Sequence, residues 1–225
     1  YGPDRYATAV ESALAAFPDW AGVTRVVITS GEDASQVDAL AGSGLAGVYD
    51  APLLLTRRDR LPEVTAAALA AMPDGIQVHI VGGTAAVTPA VATAIDALPN
   101  VAGVHRVSGA DRYETAAAVG ACMKTVLGAT FPSSAFIVNG STPANFYDSL
   151  IAGPASVQTH YPILLVRNSS VPAPTSAALA SLGITRSYMV GGPAAVSDSV
   201  ASQLGVASGD RIWGANRFST AVAFA

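Results

Sequence analysis

Charge is scarce in this chain of 225 residues. Only 12% of them are Asp, Glu, Lys or Arg, about half the ~25% usual in soluble domains. Against 51% hydrophobic residues, that scarcity argues against disorder and for a well-buried core. Lysine is nearly absent: eleven of the twelve basic residues are arginine, and Lys124 is the exception. The formal net charge of −4 excludes the basic footprint of a nucleic-acid binder. A single cysteine, Cys122, allows neither an internal disulfide nor a cysteine-based metal site. Its Ala-rich helical surroundings read as those of a small core residue. No run approaches ~18 consecutive apolar residues, so no membrane insertion is expected. No basic start leads into an apolar run, so no signal peptide is expected in these residues. The chain opens at Tyr1 and stops inside an apparent helix, and so reads as a piece of a longer protein.

What the chain has in abundance is itself. Gly2–Val10 (GPDRYATAV) returns at Gly109–Val119 (GADRYETAAAV) and again at Gly214–Ala223 (GANRFSTAVA). Other motifs keep their order between these markers. Val37–Leu40 (VDAL) matches Tyr147–Leu150 (YDSL), and Pro52–Thr56 (PLLLT) matches Pro162–Val166 (PILLV). Ile80–Val91 matches Met189–Val200 around a Gly-Gly pair, and Arg106–Arg112 matches Arg211–Arg217. A period near one hundred residues defines repeated structural units. The boundaries read as residues 1–108 for a first repeat, 109–213 for a second, and 214–225 for the opening helix of a third.

Within a unit, short β-branched or apolar runs alternate with helical segments. Strands are expected at Arg25–Ser30, Pro52–Thr56, Ile76–Val81 and Val104–Val107, with their second-unit counterparts at Phe136–Asn139, Ile163–Val166, Ser187–Val190 and Asp210–Trp213. Helices are expected over Asp4–Phe17, Gln36–Ala46, Pro62–Met72 and Pro89–Leu98, the first capped by Asp4. The fold class is therefore α/β: tandem repeats, each a mainly parallel sheet flanked by helices.

The chemistry-bearing patterns are weak by comparison. Gly82-Gly83 and Gly191-Gly192 stand where a doubly wound fold can bind phosphate, or where a tight turn needs positive φ. Asp38 and Asp148 recur in register without a second acid beside them, which fits a structural ion pair better than catalysis. His79, His105 and His160 do not recur and make no metal-ligand spacing. No nucleophile elbow is present. Neither a catalytic set, a metal site nor a cofactor is expected. Two sequons, at Asn139 and Asn168, are too short a pattern to carry weight.

Arginine is the sharpest signal. Arg5, Arg112 and Arg217 open the marker helix in each copy, Arg106 and Arg211 precede it, and Arg57 and Arg167 follow the buried strand. Arginine there is either an anion clamp or a structural partner for acids and carbonyls. Arg57 and Arg167 fit both readings. Arg5 and its copies fit a packing module with the adjoining Tyr or Phe and Thr.

The ordered set G-x-[DN]-R-[YF]-x-T-A, V-D-A-L, P-[IL]-L-L-[TV] and [IM]-V-G-G-x-A-A-V resembles the bacterial cell wall binding type 2 repeat, over nearly the whole chain. The resemblance implies a pseudo-threefold arrangement of repeats, with a third repeat in cis or from a neighbouring chain. It implies a non-enzymatic module that holds a secreted protein to an anionic polysaccharide or teichoic-acid-like polymer, outside the cell at a Gram-positive wall. The resemblance suggests Pro52–Thr56 with Arg57, and Pro162–Leu165 with Arg167, as the polymer-binding region, with Val166 in place of the motif's Thr in the second unit; the recurrence of Arg106 and Arg211 makes them second candidates. A doubly wound enzyme or nucleotide-binding domain, and a purely structural assembly domain, are the alternative classes.

Overall fold

A computed structural model describes residues 1–141 and 147–224. The first unit runs α1 (Arg5–Ala16), β1 (Arg25–Ser30), α2 (Gln36–Tyr49), β2 (Leu53–Thr56), α3 (Glu63–Ala70), β3 (Ile76–Val81), α4 (Pro89–Asp96) and β4 (Val101–Val107). The second runs α5 (Arg112–Leu127), β5 (Ser134–Asn139), a 3-10 turn over Tyr147–Ile151, α6 (Ala152–Thr159), β6 (Ile163–Val166), α7 (Ala173–Leu182), β7 (Arg186–Val190), α8 (Asp198–Gln203) and β8 (Arg211–Ile212). The chain closes with α9 (Arg217–Phe224).

Each unit forms a four-stranded, wholly parallel sheet, ordered β2-β1-β3-β4 and β6-β5-β7-β8. The sequence expectation of mainly parallel sheets with helices on both faces holds in both halves. Continuous apolar runs make this possible, because a strand covered on both faces has no solvent side to mark with polar residues. Val26, Val27 and Ile28 are all fully buried. The last strand departs from expectation in both units: β4 begins earlier than Val104, at Val101, and β8 is only two residues long.

One face of each sheet is closed by helices of its own unit. Ile28, Leu54, Val78 and Ile80 pack with Val10, Leu69, Val91 and Ile95 from α1, α3 and α4. In the second unit Ile137, Leu164 and Met189 pack with Ala178, Leu182 and Val200. The third core joins the two units. Val27, Leu40, Leu45 and Val81 of the first pack with Tyr113, Ala116, Val119 and Met123 of α5 and with Phe136, Ala152 and Leu165. Helix α2 is thus held between α5 and α6 of the next unit.

The marker motif is a back-folded helix cap. Asp4 accepts the N–H of Ala7 and Asp111 that of Glu114, both at 2.8 Å, and Asn216 accepts the N–H groups of Phe218 and Ser219 at 3.0 Å. The marker threonine returns to the marker glycine: the N–H of Gly2, Gly109 and Gly214 bonds Oγ1 of Thr8, Thr115 and Thr220 at 3.1–3.2 Å. The loop lies so close to the helix that a Cβ on Gly109 would stand 2.1 Å from Cβ of Glu114. The marker thus supplies partners for donors that a helix start leaves open.

Helix α9 carries the same cap and docks on the second unit. Thr220 is buried, and the ring of Phe224 lies 5.6 Å from that of Phe136. Its marker aromatic behaves differently from expectation. Tyr6 and Tyr113 are buried, whereas Phe218 is 76% exposed. Each tyrosine lies under an arginine: the guanidinium of Arg57 lies 4.9 Å from the Tyr6 ring centroid, and that of Arg167 lies 5.1 Å from Tyr113. Both arginines follow the second strand of the tyrosine's own unit, and the 225 residues hold no such strand after α9.

This cap gives a direct test. Gly109→Ala is expected to destabilise the chain by about 1–3 kcal/mol, since the new methyl overlaps Glu114. Gly209→Ala, where a Cβ meets nothing within 4 Å, is expected to be nearly neutral. Urea denaturation of both variants checks this; equal stabilities would remove the cap from its place in the fold.

Candidate binding cleft between the units

The strand ends, the Gly-Gly turns and the marker caps meet where one unit joins the next. The carboxylate of Asp38, near the start of α2, faces the Gly82 turn; a Cβ on Gly82 would stand 3.0 Å from its Oδ2. Gly82 and Gly191 have φ of 120° and 114°, so the turn reading of the Gly-Gly pair holds. From the other side come Asp111, Arg112 and Thr115 at the start of α5. Together with Val37, Gly83 and Gly109 they enclose a cleft of about 160 Å³ between the units.

The recurring arginines divide by role. Arg5 donates to the carbonyl of Gly31 at 2.5 Å and to Asp33 at 2.6 Å, and Arg112 donates to the equivalent carbonyl of Gly140 at 2.7 Å. They tie each marker helix to the end of its unit's central strand. Arg106 donates to the Gly82 carbonyl at 2.7 Å, and burial lowers its pKa. Arg211 donates to the Gly191 carbonyl at 3.1 Å, to the Val196 carbonyl, and to Asp198 at 2.7 Å. Arg57 and Arg167 instead lie over the marker tyrosines. Arg57 borders a second hollow of about 380 Å³ with Asp4, Arg5, Glu32 and Asp33. Arg217 lies 6.0 Å from the Phe218 ring centroid.

Thr56 is fully buried, and its hydroxyl donates to the carbonyls of Arg57 and Arg60 at 3.2 and 3.3 Å. It shapes the loop that carries Arg57. Asp148 approaches the Gly191 turn as Asp38 approaches Gly82, with 3.8 Å from its Oδ2 to a Cβ built there. The Asn139 amide is buried and donates to the Ala195 carbonyl, and Asn168 donates to the Ala194 carbonyl at 2.7 Å, so both sequon side chains are engaged in packing. His79 is not locally bonded: it is buried between the rings of Tyr49 and His105, at 4.5 and 5.1 Å, with neither ring nitrogen partnered among the described residues. Burial, with His105 and Arg25 nearby, depresses its pKa to about 4.

Sequence reading missed Gly31 and Gly140, the carbonyls that Arg5 and Arg112 seek. Both recur directly after a central strand, and that recurrence was the available signal. It also missed Trp213, whose counterpart in the first unit is Ser108.

Burial pushes the Asp38 carboxyl up to about 6, while the charge of Arg112 pulls it down. The folded state therefore holds this proton more tightly than the unfolded chain. The contribution to stability is fully present below about pH 4 and is lost as pH rises through about 6, an effect of at most ~3 kcal/mol. Asp38→Asn is expected to raise the melting temperature at pH 7 and flatten the profile between pH 4 and 6. Parallel profiles for the two proteins would contradict this origin of the shift.

The comparisons with known proteins agree with this architecture. A family model described as cell wall binding domain 2 matches residues 1–92 and 106–201. The N-acetylmuramoyl-L-alanine amidase LytC of Bacillus subtilis (strain 168) is 34% identical over 220 residues, covering 98% of this chain and 40% of that protein. Among solved structures, Cwp6 from Clostridium difficile superposes with a TM-score of 0.88 at 31% identity, covering 99% of this chain and 34% of that one. Cwp8 from the same organism gives 0.81 at 28% identity, covering 99% and 36%. The chain thus spans well under half the length of each. Two parallel repeats, matched by the family model over most of their length, establish that the chain belongs to the cell wall binding domain 2 family, whose repeats are typical of Gram-positive surface proteins.

Proposed function

We propose that the chain is a non-catalytic module that anchors a secreted protein to the wall by binding an anionic wall polysaccharide or teichoic-acid-like polymer through arginines beside the inter-repeat grooves, at the marker-helix starts rather than in the cleft lined by Asp38, Gly83 and Arg112. The observation that carries this reading is the repeated pairing of Arg57 with Tyr6 and Arg167 with Tyr113. An acidic protein that holds a polyanion must gather its positive charge locally, because attraction is screened beyond ~8–10 Å at physiological salt. Stacking on tyrosine fixes each guanidinium beside the start of a marker helix, where the positive end of the helix dipole adds to it. Arg106 and Arg211 are second candidates, with much of their bonding capacity already directed to glycine carbonyls. Thr56 acts by shaping the Arg57 loop.

The same reading takes residues 1–108 and 109–213 as two repeats and 214–225 as the start of a third. An apolar groove of about 720 Å³, lined by Leu40, Leu53 and Leu55 of the first unit and Leu150, Pro154 and Val157 of the second, would seat the second helix of that third repeat. It lies beside α2 and α6, the equivalent helices of the first two.

Two experiments test these statements. Each exposed arginine contact is worth on the order of 1 kcal/mol or less, so Arg57→Ala and Arg167→Ala should each weaken sedimentation with purified walls by about fivefold or less. The double variant should lose more, and binding should fall as salt rises. Full affinity in the double variant, or indifference to salt, would make these arginines structural. For the groove, adding a third repeat should raise the melting temperature, by about 2–4 °C per kcal/mol of docking energy in a chain of this size. Leu150→Glu should abolish that rise without unfolding the two-unit chain, and an undiminished rise would place the third repeat elsewhere.

A further inference from the structure

We propose that the indole of Trp213 is a stacking platform for a pyranose ring of the wall glycan, at the end of β8 beside the Gly191-Gly192 turn. The proposal rests on the wall-polymer reading above and adds a sugar-specific contact to it. Trp213 lies across the Gly-Gly turn: a Cβ on Gly192 would stand 2.8 Å from Cε3 and 3.4 Å from Cδ2 and Cζ3 of the indole. The glycine is therefore the floor on which the ring rests. The side chain nevertheless remains 50% exposed. Beside it, Arg211 holds the Gly191 carbonyl and pairs with the exposed Asp198, so polar groups border the aromatic surface.

The fold does not require this tryptophan. The first unit has Ser108 at the same position, and a Cβ on Gly83 there would meet only the Gly109 carbonyl oxygen, at 3.8 Å. The first junction also argues against a protein occupant. The next unit is in place there, and Ser108 stays partly exposed. A third repeat docked in the same way would leave Trp213 partly open as well. A pyranose ring suits such a surface. Its C–H groups form an apolar, weakly positive face that matches the negative face of the indole, while its hydroxyls reach the polar rim. The contact is uncharged, so it complements arginines whose attraction is screened by salt.

The test uses intrinsic fluorescence, because the chain's other tryptophan, Trp20, is buried in the first unit. The probes are a soluble polysaccharide fraction released from Gram-positive walls and inorganic polyphosphate, a polyanion without sugar rings. Titration with the polysaccharide should shift the Trp213 emission, with the Trp213→Phe variant reporting only Trp20 and staying constant. Polyphosphate should leave the emission unchanged. Trp213→Ala should weaken polysaccharide binding by about three- to tenfold, a loss that persists at raised salt, and Trp213→Tyr should retain most of the affinity. If the chain binds the polysaccharide with silent fluorescence and Trp213→Ala binds equally well, the platform is overturned while the wall-binding reading stands. If the variant loses only its association with an added third repeat, Trp213 is a protein contact and the proposal is overturned. If the unaltered chain binds no polysaccharide, the wall-binding reading itself fails. The emission of the unaltered chain decides the question even where a variant folds poorly.

Discussion

One repeat of this protein cannot cover its own sheet. The face carrying Val27 and Val81 is closed partly by α2 and partly by α5, which belongs to the next unit in sequence. Fully burying a valine or leucine contributes about 1.5–3 kcal/mol, so the shared core is a large part of what each unit needs. The units are therefore joined by the same kind of packing that folds them. The clefts follow from this constraint. Wherever a marker helix settles on the preceding α2, its capped start is brought against the preceding Gly-Gly turn, and Asp38, Gly83, Asp111 and Arg112 become neighbours across the junction.

The scarcity of charge acquires a meaning in this frame. Several of the recurring arginines are turned inward, onto the carbonyls of Gly31, Gly82, Gly140 and Gly191. These carbonyls stand at or just beyond the ends of parallel strands, and a guanidinium supplies them with a donor without introducing a mobile loop. Arg57 and Arg167 remain turned toward tyrosine rings rather than acids. Arg57 and Arg167 thus occupy equivalent places in the two units. Repetition can turn individually modest contacts into useful affinity.

Most of the fold was legible because its units repeat. Strands such as Val26–Ser30 are apolar throughout, which signals burial on both faces, and motif order carried the pattern into the second unit. The marker was legible as a motif, but its physical basis was not. That Gly109 is pinned to Thr115, or that Arg112 reaches Gly140, depends on how a loop folds back and how a helix lies on a sheet. Asp38 and Gly82 are far apart along the chain, and only the parallel crossover brings them together. Phe218 shows the limit of arguing from the motif alone. Its sequence position matches Tyr6, but Tyr6 lies under Arg57 and is buried whereas Phe218 is exposed.

The two units share one sheet order and differ in chemistry just before the marker. Marker positions are constrained in all three copies by the cap, and in the first two also by the Arg–carbonyl bonds, so they have little freedom to differ. Position 108 and its counterpart 213 lie just before the marker, over a glycine turn that is complete without either side chain. There the first unit carries a small hydroxyl and the second a half-exposed indole. A repeat architecture can keep the residues that build each cleft nearly constant while varying those at its rim. Such positions can vary from one repeat to the next without disturbing the fold that carries them.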